Sequence, residues 1–269
     1  MRLTTFAKCS IVFVLLNAVQ SLSAQSERMG ESRTDAQAIA VLERVLAAMG
    51  GKQQIVTLTS SVVEGKEIFQ PGWGPRAAIT WKNSGDQYRY ETTRDGITEI
   101  YVSGHNKPAS VVEGKVQRLY GHVSIADVPS HLAALLLLDR LNSRKRFISS
   151  KPVLEMRESV DENGKQLLRV RSEDDMDSSI ARYTAQEWLF DPSTSLPYAV
   201  EYYLPDHNDA AKLYRFKDMF SDFREVSGVL VPFHIERFLE DKLVCSIQLT
   251  AARFNVGISD SDFDAPEAQ

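Results

Sequence analysis

Apolar side chains fall at every second position over long stretches of this chain, and that period commits most of it to β-strand. Ile79 and Trp81 alternate with Thr80 and Lys82, and Tyr88 and Tyr90 with Arg89 and Glu91. Turn-forming groups separate such runs: Pro71-Gly72, Asn83-Ser84-Gly85, Asp95-Gly96, Gly104-His105-Asn106 and Glu113-Gly114. Short strands between turns spaced at about 8–12 residues define a meander of antiparallel hairpins from Gln54 to Tyr120. The same period returns from Lys151 to the end. Strands are expected at 152–160, 165–172, 185–191, 198–204, 212–223, 229–239 and 243–254, with Asp161-Glu162-Asn163-Gly164 as a hairpin turn. In Leu230–Arg237, Val231, Phe233 and Ile235 share one face and His234 and Glu236 the other. Pro232 lacks an N–H, so that strand is expected at an edge or with a bulge.

Two segments break the period. Ala38, Val41, Leu42, Val45, Leu46 and Met49 recur at helical spacing. Thr34 or Asp35 is placed to cap the start, and Gly50-Gly51 closes the end. Residues 126–141 (ADVPSHLAALLLLDRL) read as a second helix beginning near Pro129 or Ser130. Leucines and alanines cover nearly every side of it, so it must lie against protein rather than water. Arg140, Arg144, Lys145 and Arg146 follow and are expected to be solvated. So is the acidic loop Glu173-Asp174-Asp175-Met176-Asp177. The plan is helix, five or six strands, a greasy helix, then six or seven strands. That many antiparallel strands curl, and the middle helix is the available cover for the concave face.

The N-terminus reads as a secretory signal. Arg2 and Lys8 precede an apolar run from Cys9 to Val19, and Ser21-Leu22-Ser23-Ala24 supplies a small-residue cleavage site. The run is about half of the ~20 residues that a membrane span needs. Residues 25–33 form a polar lead-in, and 34–269 a single domain. Loss of residues 1–24 removes two cations and no acid, which moves the formal net charge from −5 to −7. An acidic chain without a basic cluster is a poor nucleic acid binder. Cys245 is the one cysteine beyond the signal, so neither an intrachain disulfide nor a cysteine metal site is expected. Its neighbours Leu243, Ile247 and Leu249 mark it as a small buried hydrophobe.

Catalytic signatures are missing. His105, His122, His131, His207 and His234 form no zinc-hydrolase pair, and no serine sits in a G-x-S-x-G elbow. Asp206-His207-Asn208-Asp209 follows Pro205 and reads as a turn. No glycine-rich phosphate loop occurs. No cofactor, metal or catalytic group is therefore expected, and the chain is read as a non-enzyme.

Several segments together resemble a known family. They are the first helix ending in Gly-Gly, Leu189-Phe190-Asp191 leading to Ser195-Leu196-Pro197, the run from Phe220 to Phe233, and Phe254-Asn255-Val256-Gly257-Ile258-Ser259-Asp260-Ser261-Asp262-Phe263 followed by Pro266. The chain resembles the outer-membrane lipoprotein-sorting superfamily, the LolA/LolB/LppX-like proteins. The resemblance implies a mainly β fold with helices: an unclosed antiparallel half-barrel around an apolar cavity, lidded by helices. It implies periplasmic binding of an acyl chain, lipid or lipoprotein, or a sensor of such molecules that docks to an envelope membrane protein. For the carrier's cavity arginine, Arg76, Arg89 and Arg94 are alternatives.

The expected cavity wall is Ile79, Trp81, Tyr88, Tyr90, Trp188, Phe190, Tyr202, Phe233 and Ile235. Leu132, Leu135, Leu136 and Leu138 are the expected lid. A dozen buried carbons at about 0.8 kcal/mol per methylene supply ~10 kcal/mol before entropic costs, so such a carrier needs no catalytic residue. Ordinary core packing is the alternative for the same residues. A monomeric periplasmic or secreted carrier is the leading expectation, with a sensor module or a secreted hydrolase as rivals.

Overall fold

The computed structural model describes residues 34–85, 87–103, 109–118, 133–142, 152–175, 183–206, 209 and 211–265. The signal, the lead-in, Leu132, the helix start at Pro129 or Ser130, and four of the five histidines lie outside them.

Helix α1 spans Ala36–Ala48 and is capped by Asp35, whose carboxylate accepts from the Gln37 N–H at 2.7 Å. Its apolar stripe, Ala38, Val41, Leu42, Val45, Leu46 and Met49, is buried throughout. The helix stops at Met49, and Gly50 follows with φ 122. A Cβ on Gly50 would stand 2.2 Å from the Gly228 carbonyl oxygen, so glycine permits both the conformation and the close approach. That approach docks the helix end on a hairpin: the Leu230 N–H donates to the Met49 carbonyl at 3.0 Å. A short helix, α2, occupies Lys52–Ile55. The alternating pattern expected from Gln54 thus begins later, because Ile55 is drawn into the core by a helical turn before β1 starts.

Strands β1 (Ser60–Phe69), β2 (Ala77–Ser84), β3 (Gln87–Arg94), β4 (Ile97–Ser103), β5 (Ala109–Val112) and β6 (Lys115–Arg118) form the first meander. Helix α3 covers Ala133–Asn142. Strands β7 (Pro152–Glu162), β8 (Lys165–Asp174), β9 (Gln186–Phe190), β10 (Pro197–Pro205), β11 (Leu213–Val226), β12 (Val229–Leu239) and β13 (Lys242–Phe254) form the second. A 3₁₀ turn at Asp260–Phe263 ends the described chain, with Phe263 buried.

All strands join one antiparallel sheet of order β6-β5-β4-β3-β2-β1-β13-β12-β11-β10-β9-β8-β7. The two meanders meet where β1 pairs with β13. β6 and β7 are the edges, so the barrel stays open. At the β1–β13 join the register shifts between Glu64 and Gly65. A Cβ on Gly65 would approach the Gln248 carbonyl to 2.6 Å, so glycine lets the strands bend together there.

Of the two expectations for the Pro232 strand, the edge fails, since β12 lies inside the sheet between β11 and β13, whereas the strand does carry a register shift, between Arg237 and Phe238. Opposite β11, Pro232 keeps register with Phe223. The ladder to β13 runs from His234 to Leu239, so Pro232 falls beyond its end and its missing N–H costs no bond there. The acidic segment at 173–175 is likewise not a free loop. β8 continues through Asp174, which accepts a 2.8 Å hydrogen bond from Arg140.

The core lies on the concave face, where α1 and α3 cover the sheet. Val63, Ile79, Trp81, Trp188, Phe190, Phe233, Ile235 and Ile247 join the helix residues in one cluster. The convex face is polar and charge-laced: Glu187 accepts from Arg169 and Arg171, each at 3.1 Å, and Lys217 bridges Glu162 and Glu201. A small second cluster of Leu167, Leu189 and Ala199 sits there.

Candidate functional site: the concave face

Alternation fixes which side chains enter the concave face. Across β1, β2 and β3, one row reads Val63, Trp81, Tyr90, and the adjacent row places Ile79 opposite Thr92. On the other arm, Trp188 faces Val200, and Phe220 faces Ile235, which faces Ile247. Aromatic rings stack along this wall. Trp81 lies 5.2 Å from Tyr90, which lies 6.1 Å from Tyr101. Trp188 stands 6.2 Å from Phe190 and 6.1 Å from Phe220, and Tyr202 5.8 Å from Phe216.

The nine expected wall residues all occupy concave positions. Ile79, Trp81, Tyr88, Trp188, Phe190, Phe233 and Ile235 are buried in the central cluster, and Tyr90 and Tyr202 pack at its margin, half-exposed. Of the expected lid, Leu135 and Leu138 are buried in the same cluster and Leu136 packs against it, while Leu132 lies outside the described residues. Leu137 is fully buried too, so α3 is enclosed on nearly all sides. It packs against α1, α2, β7 and β12. Arg140 is not solvated as expected. It donates to Asp174 at 2.8 Å and to the Thr184 carbonyl at 3.4 Å, fastening the helix end to β8. Burial lowers its pKa, against the pull of Asp174.

The concave face has two halves. Near the helices it is apolar and closed. Toward the opposite end, beyond Tyr90 and Tyr202, it is half-exposed and carries charge. Asp218, fully buried, accepts two 2.8 Å hydrogen bonds from Arg237 and one of 3.3 Å from the Tyr202 hydroxyl. Burial alone would lower the Arg237 pKa, but Asp218 raises it well above the usual value. Glu67 is 5% exposed, and its carboxylate stands 3.7 Å from Arg94, whose guanidinium lies over the Phe69 ring. Burial and then the Glu67 charge push the Tyr90 hydroxyl far above its ordinary pKa, so it stays protonated. Cys245 lies among these groups, and burial pushes its thiol up to about 12.

Among the three arginines considered, Arg94 is the one on the concave face. Arg76 is exposed in the β1–β2 loop, and Arg89 points the other way, to Glu91 and the Asp262 carbonyl. Sequence reasoning missed Glu67, Asp218 and Arg237. A signal existed, because each is a charge on the apolar parity of its strand, as in Phe216-Lys217-Asp218-Met219-Phe220.

On the convex face His234 bridges two serines, with Nδ1 3.0 Å from Ser221 Oγ and Nε2 2.9 Å from Ser246 Oγ. Hydroxyls take both ring nitrogens, so no carboxylate orients the imidazole as a catalytic triad requires. The three residues form a polar ladder across β11, β12 and β13. Among the described residues no group of three or more His, Cys, Asp or Glu side chains is placed to hold a metal ion. Nor is any helix among them long and apolar enough to cross a membrane.

The fold is that of the LolA-like half-barrels. An outer membrane lipoprotein-sorting protein domain from Vibrio parahaemolyticus superposes with a TM-score of 0.54 at 15% identity, covering 84% of this chain and 95% of that one. A DUF1329-family protein from Desulfovibrio piger gives 0.54 at 15% identity, over 87% and 98%. A LolA-superfamily protein from Nitrosomonas europaea gives 0.52 at 10% identity, over 83% and 96%. No family model matches the sequence. No curated protein matches it either. The segments that carried the resemblance serve the frame. Asn255 accepts from the Thr59 N–H at 2.9 Å, Ser259 and Asp262 form a capping box, and Asp191 anchors the β9–β10 turn through Ser193.

Proposed function

We propose that this protein is a periplasmic carrier that holds an acyl chain, lipid or lipoprotein along its concave face, as a monomer that follows export by the N-terminal signal. The observation that carries the reading is that the α3 leucines and the aromatic row share one buried cluster on the concave face of an open LolA-like half-barrel, with α3 seated against β7 and β12. That cluster is apolar, so an acyl chain can replace the leucines without exposing the wall to water. The lid equilibrium is then a competition. Leu135, Leu136 and Leu138 cover the wall when no guest is bound, and acyl chains displace them while Arg140 keeps the end of α3 tied to Asp174. No reacting group is needed, because the free energy comes from area removed from water.

Native mass spectrometry and lipid extraction of protein purified from its own envelope test the reading. A bound acyl species supports it. Protein that is persistently empty, and that takes up no fluorescent fatty acid, overturns it.

A further inference from the structure

On β3 the side chains of Tyr88, Tyr90, Thr92 and Arg94 enter the concave face in succession. Two of their polar groups are buried and unanswered. The Thr92 hydroxyl, on a residue 2% exposed, lies beside that of Tyr90 but makes no hydrogen bond of good geometry. The Nε–H of Arg94 is also buried without a partner, and the guanidinium's carboxylate contact, to Glu67, is a long 3.7 Å. Buried donors are ordinarily paired, because leaving one unpaired forfeits its hydrogen bonds to water. Two such donors, on side chains that reach from successive inward positions of one strand whose Cα atoms are about 6.6 Å apart, mark a place where an acceptor belongs.

We infer that Thr92 Oγ and Arg94 Nε form a seat for the carbonyl oxygen of an ester- or amide-linked acyl chain. This rests on the carrier reading and adds the chemistry of the ligand's head. A carbonyl oxygen has two lone pairs and accepts both donors at once. A neutral acceptor fits better than a free carboxylate, because the Arg94 charge is already opposed by buried Glu67 and Arg237 is committed to Asp218. A second anion here would face Glu67 without a cation of its own. The seat lies where the aromatic wall meets the half-exposed end: Thr92 is opposite Ile79, and Tyr90 stacks on Trp81. A chain anchored there by its carbonyl runs back along the aromatics toward α3.

Calorimetric titration of the purified protein tests the seat with four ligands of equal chain length: methyl myristate, N-methylmyristamide, myristyl methyl ether and myristate. The ester and amide are expected to bind about 10-fold more tightly than the ether, the worth of one to two net hydrogen bonds. T92V, which keeps the side-chain shape, and R94K, which keeps the charge but removes Nε, are expected to bring ester and amide down to the ether's affinity. The quantity read on each variant is the ratio of ester to ether affinity. Tighter amide than ester binding supports an acylated polypeptide as the source, and the reverse a glycerolipid. Equal ester and ether binding, an ester preference that survives T92V and R94K, or a carboxylate that outbinds the ester overturns the seat while the carrier reading stands. Failure of all four ligands to bind overturns both.

Discussion

Arg237 on β12 faces Asp218 directly across the ladder from β11 and holds it with two hydrogen bonds of 2.8 Å. The pair sits within an otherwise aromatic wall, with Phe216 and Phe220 on either side of Asp218 along the strand. Breaking it strands a buried charge. D218A is expected to destabilise the protein by about 3 kcal/mol, the lower end for a buried pair because Arg237 is partly exposed. D218L combined with R237M is expected to recover most of that loss. Urea unfolding of the three proteins checks both statements.

Under the carrier proposal, helix α3 couples stability to affinity. Leu138 is 2% exposed in the cluster shared by α3 and the wall. L138A is expected to cost about 3 kcal/mol of stability in the empty protein. If the side chain competes with a guest for the same surface, the variant binds acyl chains more tightly than the parent. Denaturant midpoints and ligand titrations, taken together, check the opposite signs.

Gly50 and Gly51 differ in what they tolerate. G50A sets a Cβ against the Gly228 carbonyl at a φ unsuited to alanine and is expected to destabilise by about 3 kcal/mol. G51A meets nothing within 4 Å and bears only the backbone cost of φ 85 and ψ 147, about 2 kcal/mol. Thermal melts of the two variants are expected to fall in that order.

Acid should weaken the β9–β10 turn. Burial tends to raise the Asp191 pKa, but Lys165 at 2.6 Å and the Ser193 hydrogen bonds pull it well below the usual carboxylate range. A depressed folded value means the stabilisation is complete above the unfolded pKa, about 3.9, and drains away as pH falls through the folded one. D191N is therefore expected to flatten the acid limb of the stability curve. The gap between parent and variant, measured by urea midpoints, is expected to narrow as pH drops from about 5 to 2.

The alkaline limb should answer to Cys245. Burial lifts its folded pKa to about 12, whereas an unfolded thiol ionises near 8.5. A raised folded value gives stability that is present at neutral pH and lost as pH climbs past the unfolded value. C245A is expected to remove that loss between about pH 8.5 and 11. The parent thiol is expected to resist a disulfide-exchange reagent at pH 8 until denaturant is added.

Local rules carried much of this fold. The cap at Asp35, the buried stripe of α1, the stop at Gly50 and the bounds of β12 at 229 and 239 follow from short-range pattern. So do the turns at Asp95-Gly96, Glu113-Gly114 and Asn163-Gly164, all with positive φ. What escaped was decided by partners remote in sequence. Arg140 reads as a surface cation until β8 brings Asp174 to it. Glu67, Asp218 and Arg237 read as ordinary strand charges until three strands meet. Pro232 is harmless because of where the β13 ladder ends, which its own neighbours do not encode. The aromatic wall was legible by parity, whereas the polar half of the same face was not, since its groups answer one another across the sheet.

The first strand of this sheet waits for the last. β1 ends at Phe69, and its partner on one side, β13, runs to Phe254, so the seam joins residues nearly two hundred positions apart. A chain that emerges N-terminus first therefore holds its opening meander with one long unpaired border until synthesis or passage is all but finished. Closure of this seam is expected to come late and slowly, because contacts so distant in sequence carry a large loop-closure cost. Any shortening that removes β13 leaves two separate fans of strands with no shared floor for a guest.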